Sequence, residues 1–164
     1  MAFPARPGTP LLGGRNLPGL RILRRLRRSE THKGYAILAE VPVISIIDDD
    51  ESVRVATKRL VRSLGFVGHD FASADEFLQS HRLGETSCVI ADVQMPGMSG
   101  VELQELLVAK GNRTPVILIT AFPDDRIRAR ALQLGAVCFL TKPCDGQTLL
   151  QCLEMALNKD QLQD

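Results

Sequence analysis

From Val43 onward, short apolar runs alternate with longer stretches in which apolar residues recur every three or four positions. A run of about five apolar residues suits a strand buried on both faces, and a 3.6-residue period suits a helix lying on a sheet. Five strands, β1 to β5, are predicted at VISII (43–47), FVGHDF (66–71), CVIA (88–91), VILIT (116–120) and VCFL (137–140). The second carries His69 and Asp70 within its run and reads as an edge strand. Helices are predicted at 52–64 (α1), 74–80 (α2), 99–110 (α3), 124–133 (α4) and 146–158 (α5). Ser73 followed by Glu76 makes a capping-box pattern, and Gly65, Gly111 and Gly135 stand where α1, α3 and α4 should end. Regular alternation of strand and helix with right-handed crossovers gives an α/β fold, a (βα)5 doubly wound parallel five-stranded sheet with two helices on one face and three on the other.

Composition narrows this further. The 164 residues, 45% hydrophobic and 24% charged, fit one domain with chain to spare. The apolar run PVILITAF at 115–122 is bounded by Arg113 and Asp124, far short of the roughly 20 residues a membrane span needs. A net charge of +1 hides an asymmetry: residues 1–42 hold seven Arg and one Lys against two Glu, whereas residues 43–164 hold 12 basic and 17 acidic side chains. The periodic part is therefore mildly acidic, unsuited to neutralising a phosphate backbone.

The expected organisation is a basic extension over 1–42, a domain over 43–158 and a short tail over 159–164. Residues 1–20 are dense in Pro and Gly and are expected to be disordered, while LRILRRLRR at 20–28 sets Leu20, Leu23 and Leu26 at helical spacing among five arginines. That segment fits a membrane-surface, nucleic-acid or targeting contact, and the plainer reading is a solvated extension. Val41 opens the ordered pattern and is itself a candidate natural start. Cys88, Cys138, Cys144 and Cys152 form no CxxC pair and have no His at metal-ligand spacing. They are expected to be reduced, buried thiols in a cytoplasmic protein.

In parallel sheets, ligands bind beyond the carboxyl ends of the strands. The residues that follow each strand are therefore the candidate chemistry. β1 leads into Asp48, Asp49, Asp50 and Glu51, β3 into Asp92, β4 ends in Thr120, and β5 leads to Lys142. Carboxylates gathered on one rim repel one another unless a hard divalent cation such as Mg²⁺ lies among them. An ammonium and a hydroxyl across the same crevice supply what a bound phosphoryl group needs. Asp92 is then the candidate nucleophile, and no P-loop or GxGxxG marks a nucleotide site.

The motifs IIDDDE, ADVQMPGMSG, VILITA and FLTKP, in that order, resemble the receiver domain of two-component response regulators, most of all the nitrogen-fixation regulator type. The offsets between Asp49 and Asp92, Asp92 and Thr120, and Thr120 and Lys142 are 43, 28 and 22 residues, in keeping with that family. The resemblance implies the flavodoxin-like strand order 2-1-3-4-5, and a phosphoryl group passed to Asp92 from a sensor histidine kinase. It implies Mg²⁺ held by Asp49, Asp92 and the backbone carbonyl of Gln94, with Asp48 acting through water. It implies Lys142 paired with Asp92 before phosphorylation and with the phosphoryl group after it, and Thr120 moving toward the new phosphate. Phe139 would turn inward into the space Thr120 vacates, altering the α4–β5–α5 face for a partner protein or a dimer. Phe139 also fits plain core packing.

Asp50 and Glu51 are expected to start a helix, Met98 to pack, and His69 and His81 to lie at the surface. The Gln94 side chain is a candidate for tuning the lifetime of the acyl phosphate. Two other functions compete with this switch. A Mg²⁺-dependent phosphatase or hydrolase with an Asp nucleophile would want a second Asp where Gln94 stands, and a non-phosphorylated scaffold would not need the full acceptor site.

Overall fold

The computed structural model describes residues 40–159; the expectations for residues 1–39 and for the tail at 160–164 lie outside that span. Five strands, β1 (Val43–Ile47), β2 (Val67–Phe71), β3 (Cys88–Asp92), β4 (Val116–Thr120) and β5 (Cys138–Thr141), pair in parallel in the order β2-β1-β3-β4-β5. Five helices connect or follow them: α1 (Glu51–Ser63), α2 (Ala74–Gln79), α3 (Gly100–Ala109), α4 (Asp125–Gln133) and α5 (Gly146–Lys159). Strand order reverses between β1 and β3, so the crevice beyond their carboxyl ends is where chemistry is expected.

Two apolar layers sandwich the sheet. Ile44, Ile46, Ile90, Ile117 and Ile119 meet Val61 of α1 and Leu149, Leu153 and Ala156 of α5. Ile47, Val89, Ala91, Val116, Leu118 and Phe139 meet Phe77 of α2, Leu103 and Leu107 of α3 and Ala131 of α4. Alternate residues of each strand point to opposite faces, which gives two apolar layers; α1 and α5 cover one, and α2, α3 and α4 the other. β2 is an edge, as its mixed composition predicts, and β5 is the other edge despite its apolar sequence.

Local chemistry sets the helix ends. Asp50 caps α1 by accepting from the backbone N–H groups of Ser52 and Val53. Ser99 and Glu102 close a reciprocal capping box on α3. Ser73 caps α2 through Glu76 N–H, but the Glu76 carboxylate reaches back to Ala72 N–H rather than to Ser73, so the expected box is only half formed. A 3-10 turn at His81–Glu85, absent from the sequence expectation, carries the chain to β3, with His81 exposed and His69 half-buried. Gly65, Gly111 and Gly135 end their helices at φ of 97°, 71° and 95°.

The expectation of four reduced thiols is corrected: Cys138 of β5 and Cys152 of α5 are joined by a disulfide, with Cα atoms 6.1 Å apart. A separation of 14 residues carried no pairing signal. The link exists because α5 packs on the sheet face that Cys138 shares, where Cys152 lies in the same apolar layer as Leu149 and Leu153. Cys88 and Cys144 stand outside any disulfide, the former buried and the latter half-buried. Among the described residues no helix is long and apolar enough to cross a membrane.

Candidate functional site

The carboxyl ends of β1, β3 and β5 bring Asp48, Asp49, Asp92 and Lys142 to one crevice, and β4, between β3 and β5, ends on the same rim in Thr120. Asp48 follows the last residue of β1 and is buried, whereas Asp49 is exposed one residue further on. Asp92 is the last residue of β3 and is 8% exposed. Carboxylate oxygens of Asp48, Asp49 and Asp92 lie within 4.8 Å of one another.

Lys142 reaches over this cluster from directly after β5, and a cis Lys142–Pro143 peptide follows it. Its Nζ donates to Asp48 Oδ2 at 2.7 Å and stands 3.5 Å from Asp92 Oδ1. The expectation that Lys142 pairs with Asp92 is thereby refined: the closer partner is Asp48. Burial alone would lower the lysine's pKa, but the hydrogen bond and charge of Asp48, then the charge of Asp92, outweigh it and raise it. Burial pushes the Asp92 carboxyl up; Lys142 pulls it back, the Asp48 charge raises it further, and the Gln94 backbone N–H lowers it by hydrogen bonding. Three carboxylates facing one ammonium leave negative charge uncompensated. Hard oxygen donors at this separation match a small divalent cation, so the residues present fit Mg²⁺.

The Thr120 hydroxyl is fully buried and turned into its own loop, accepting from Phe122 N–H at 3.1 Å and lying 3.2 Å from Phe122 O. Phe122 itself is 70% exposed. Phe139 is already buried, with the Arg128 guanidinium of α4 stacked 5.0 Å from its ring centroid. This burial fits the plain core packing that its strand position allows, and the Thr120 hydroxyl faces its own loop. Asp50 and Glu51 are exposed at the start of α1, as expected, and the Gln94 side chain is exposed beside Asp92.

Sequence reasoning missed two residues that shape this rim. Gly100 opens α3 against the end of β3; a Cβ there would sit 2.3 Å from the Asp92 carbonyl oxygen, so only glycine permits the approach. Its signal is a glycine directly after an N-cap serine, inside a helix that otherwise avoids the residue. Arg54 of α1 donates from Nη1 to the Asp48 carbonyl at 2.8 Å, and no sequence pattern announced that contact.

Five parallel strands in the order 2-1-3-4-5 with an acidic crevice at the switch point make a flavodoxin-like receiver fold. The chain belongs to the response regulator receiver domain family, whose model matches residues 44–154. It is a receiver of the kind used in two-component phosphorelay, and its acidic cluster lies where receivers generally bind Mg²⁺. Nodulation protein W of Bradyrhizobium diazoefficiens is 36% identical over 127 residues, covering 77% of this chain and 56% of that protein. Response regulator protein TodT of Pseudomonas putida is 40% identical over 115 residues, covering 70% of this chain and 51% of that protein. Among solved structures, response regulator StyR superposes with a TM-score of 0.69 at 40% identity, covering 75% of this chain and 62% of that one. FixJ-N superposes at 0.66 with 30% identity, covering 73% and 95%. The chain spans about half the length of the curated relatives it matches.

Proposed function

We propose that this receiver is switched by phosphorylation of Asp92, the donor being a phosphohistidine of a sensor histidine kinase. The observation that carries the reading is the clustering of three carboxylates within 4.8 Å under one lysine, at the switch point of the sheet. An Asp92 carboxylate oxygen attacks the phosphorus; the P–O bond forms, the P–N bond breaks, and the histidine nitrogen leaves with the electron pair. Asp49, Asp92 and the Gln94 carbonyl would hold Mg²⁺, with Asp48 joining through water; when bound, the ion offsets the charge of the phosphoryl oxygens. Lys142, already 3.5 Å from Asp92, exchanges part of its hold on Asp48 for a phosphoryl oxygen. The buried Thr120 hydroxyl leaves its two contacts with Phe122 to meet the new charge, which pulls on the loop leading into α4.

Phe139 has no hydroxyl to bond with a partner, so the change passes through packing against Arg128 and α4. The α4–β5–α5 face is the proposed output surface, for a partner protein or a second copy of the chain. The domain acts as a switch that catalyses its own modification and does not turn over a metabolite. Incubation with Mg²⁺ and acetyl phosphate, followed by intact mass, tests the reading. A gain of one phosphoryl mass that requires Mg²⁺ and disappears in Asp92→Ala supports it. Turnover of a generic phosphoester, or no labelling of the folded wild type, counts against it.

A further inference from the structure

Asp48 sits at the joint between β1 and α1, and each of its polar groups is engaged. Its N–H donates to Phe71 O at 3.2 Å, its Oδ1 accepts from Asp50 N–H at 2.9 Å, and its Oδ2 accepts from Lys142. The fourth group, the backbone carbonyl, is held by Arg54 Nη1 at 2.8 Å. The same guanidinium places its Nε 3.5 Å from Asp70 Oδ2, and Lys58, one turn further along α1, holds Asp70 Oδ1 at 2.5 Å. Asp70 lies on β2 in register with Ile46, one residue before the end of β1, so this ion cluster anchors the edge strand, α1 and the acidic turn together.

We infer that Arg54 is a positioning residue for the divalent-cation site, set in turn by Asp70. The inference rests on the reading of Asp48, Asp49 and Asp92 as that site. Three consecutive aspartates, Asp48 to Asp50, occupy the turn, and their mutual repulsion favours splaying it apart. Arg54 touches the backbone of the turn and none of its carboxylates, so it restrains the geometry without neutralising a would-be ligand. A planar guanidinium can bond a carbonyl with one nitrogen while another faces a carboxylate; a lysine ammonium is a single point and keeps one of the two. The Arg54 side chain is 14% exposed, which shields its bond to Asp48 from competing water.

Charge and position predict opposite results, which makes the inference testable without a phosphodonor. If Arg54 mattered only as a nearby positive charge, Arg54→Gln would tighten Mg²⁺ binding by removing repulsion. If it positions the turn, Arg54→Gln weakens binding, by about tenfold on the scale typical of groups that orient metal ligands. Isothermal titration of Mg²⁺ into the full chain is the measurement, with thermal unfolding in metal-free buffer as the check on folding. Arg54→Lys should recover only part of the affinity, and Asp70→Asn should weaken it in the same direction by less. The labelling rate with acetyl phosphate should return toward wild type at saturating Mg²⁺, because the defect lies in holding the ion. Tighter or unchanged Mg²⁺ binding by folded Arg54→Gln and Asp70→Asn overturns the inference alone. Absence of Asp49-dependent Mg²⁺ binding in the wild type overturns both the inference and the functional reading beneath it.

Discussion

α4 and α5 flank the same strand, β5, yet they are held by very different means. α5 buries Leu149, Leu150, Cys152, Leu153, Ala156 and Leu157 and is tied to β5 by the Cys138–Cys152 disulfide. α4 buries only Ala131; its other attachments are half-exposed Ile127, the Arg128 stack on Phe139, an exposed Arg130–Glu105 ion pair and one side-chain hydrogen bond from Gln104. Surface ion pairs and single hydrogen bonds contribute on the order of 1 kcal/mol each, whereas a buried leucine is worth several times that. One side of the proposed output face is thus an anchor and the other a lightly held element, the side on which a pull from the Thr120 loop would act under that proposal. Functional motion belongs at the low-stability end of a fold.

The largest expected effect tests the anchor. Leu153→Ala, at a fully buried position on α5, should cost about 3 kcal/mol in chemical denaturation, within the usual range for a core leucine. Leu132→Ala on α4, where the side chain is 46% exposed, should stay within about 0.5 kcal/mol. Comparable losses at the two sites would break the comparison.

The disulfide comes next. Closing a loop of about 15 residues stabilises by up to about 3 kcal/mol in the chain-entropy picture. Reduction, or Cys152→Ser, should lower the melting temperature and raise amide exchange along α5, while α4, expected to exchange faster from the outset, changes little. Equal protection of the two helices in the oxidised protein would refute the asymmetry.

α1 shares a layer with α5 but buries only Val61 along its length, so ionic contacts carry more of its hold. The Lys58 hydrogen bond to Asp70, outweighing its partial burial, keeps the Asp70 carboxyl below its ordinary value, with Lys58 and Arg54 charges adding to the effect. A carboxyl whose folded pKa is depressed stabilises the fold above its unfolded value of about 4 and loses that contribution as pH falls through the folded one. Asp70→Asn should therefore cost about 1 kcal/mol at neutral pH and progressively less in acid. Urea titrations of both proteins across the acid range check this; a pH-independent difference would mean the contact acts through packing.

The part of this picture that was legible in the sequence is the part set by periodicity and by topology. Apolar runs such as VILIT and CVIA allow little besides buried parallel strands, and strand ends then dictate where Asp48, Asp92, Thr120 and Lys142 must meet. The contacts that were not legible depend on side-chain reach across elements. Arg54 finds the Asp48 carbonyl only because α1 leaves the turn at one particular angle. Cys138 meets Cys152 only because α5 covers the sheet face to which Cys138 points. Phe139 could be placed in the core by its strand position, but the guanidinium over its ring comes from α4, and nothing local to either residue encodes the pair. Gly100 shows an intermediate case: the serine and glycine at the start of α3 stand in the sequence, and the carbonyl that the glycine must clear does not.

The smallest expected effect sharpens the contrast most. Gln104 of α3 is 2% exposed and donates from Nε2 to the Ala131 carbonyl of α4 at 3.3 Å, while its own Oε1 has no partner among the described residues. A buried acceptor left unpaired costs about as much as a good hydrogen bond contributes, so the contact gives α4 little net hold. The Ala131 carbonyl also accepts from Ala136 N–H at 3.0 Å, so losing Gln104 does not orphan it. Gln104→Leu should therefore leave overall stability within about 0.5 kcal/mol of wild type, or raise it slightly, because an apolar side chain of similar size removes the unpaired oxygen. Its effect should be local: an apolar contact in place of a poorly satisfied amide packs α4 more tightly, slows amide exchange there and leaves α5 untouched. If the switch depends on an easily displaced α4, the variant should accept phosphate from acetyl phosphate normally yet respond less in any readout of the α4–β5–α5 face. A drop of 2 kcal/mol or more on Gln104→Leu would instead show that the amide holds α4 firmly, and the lightly held helix would have to be sought elsewhere.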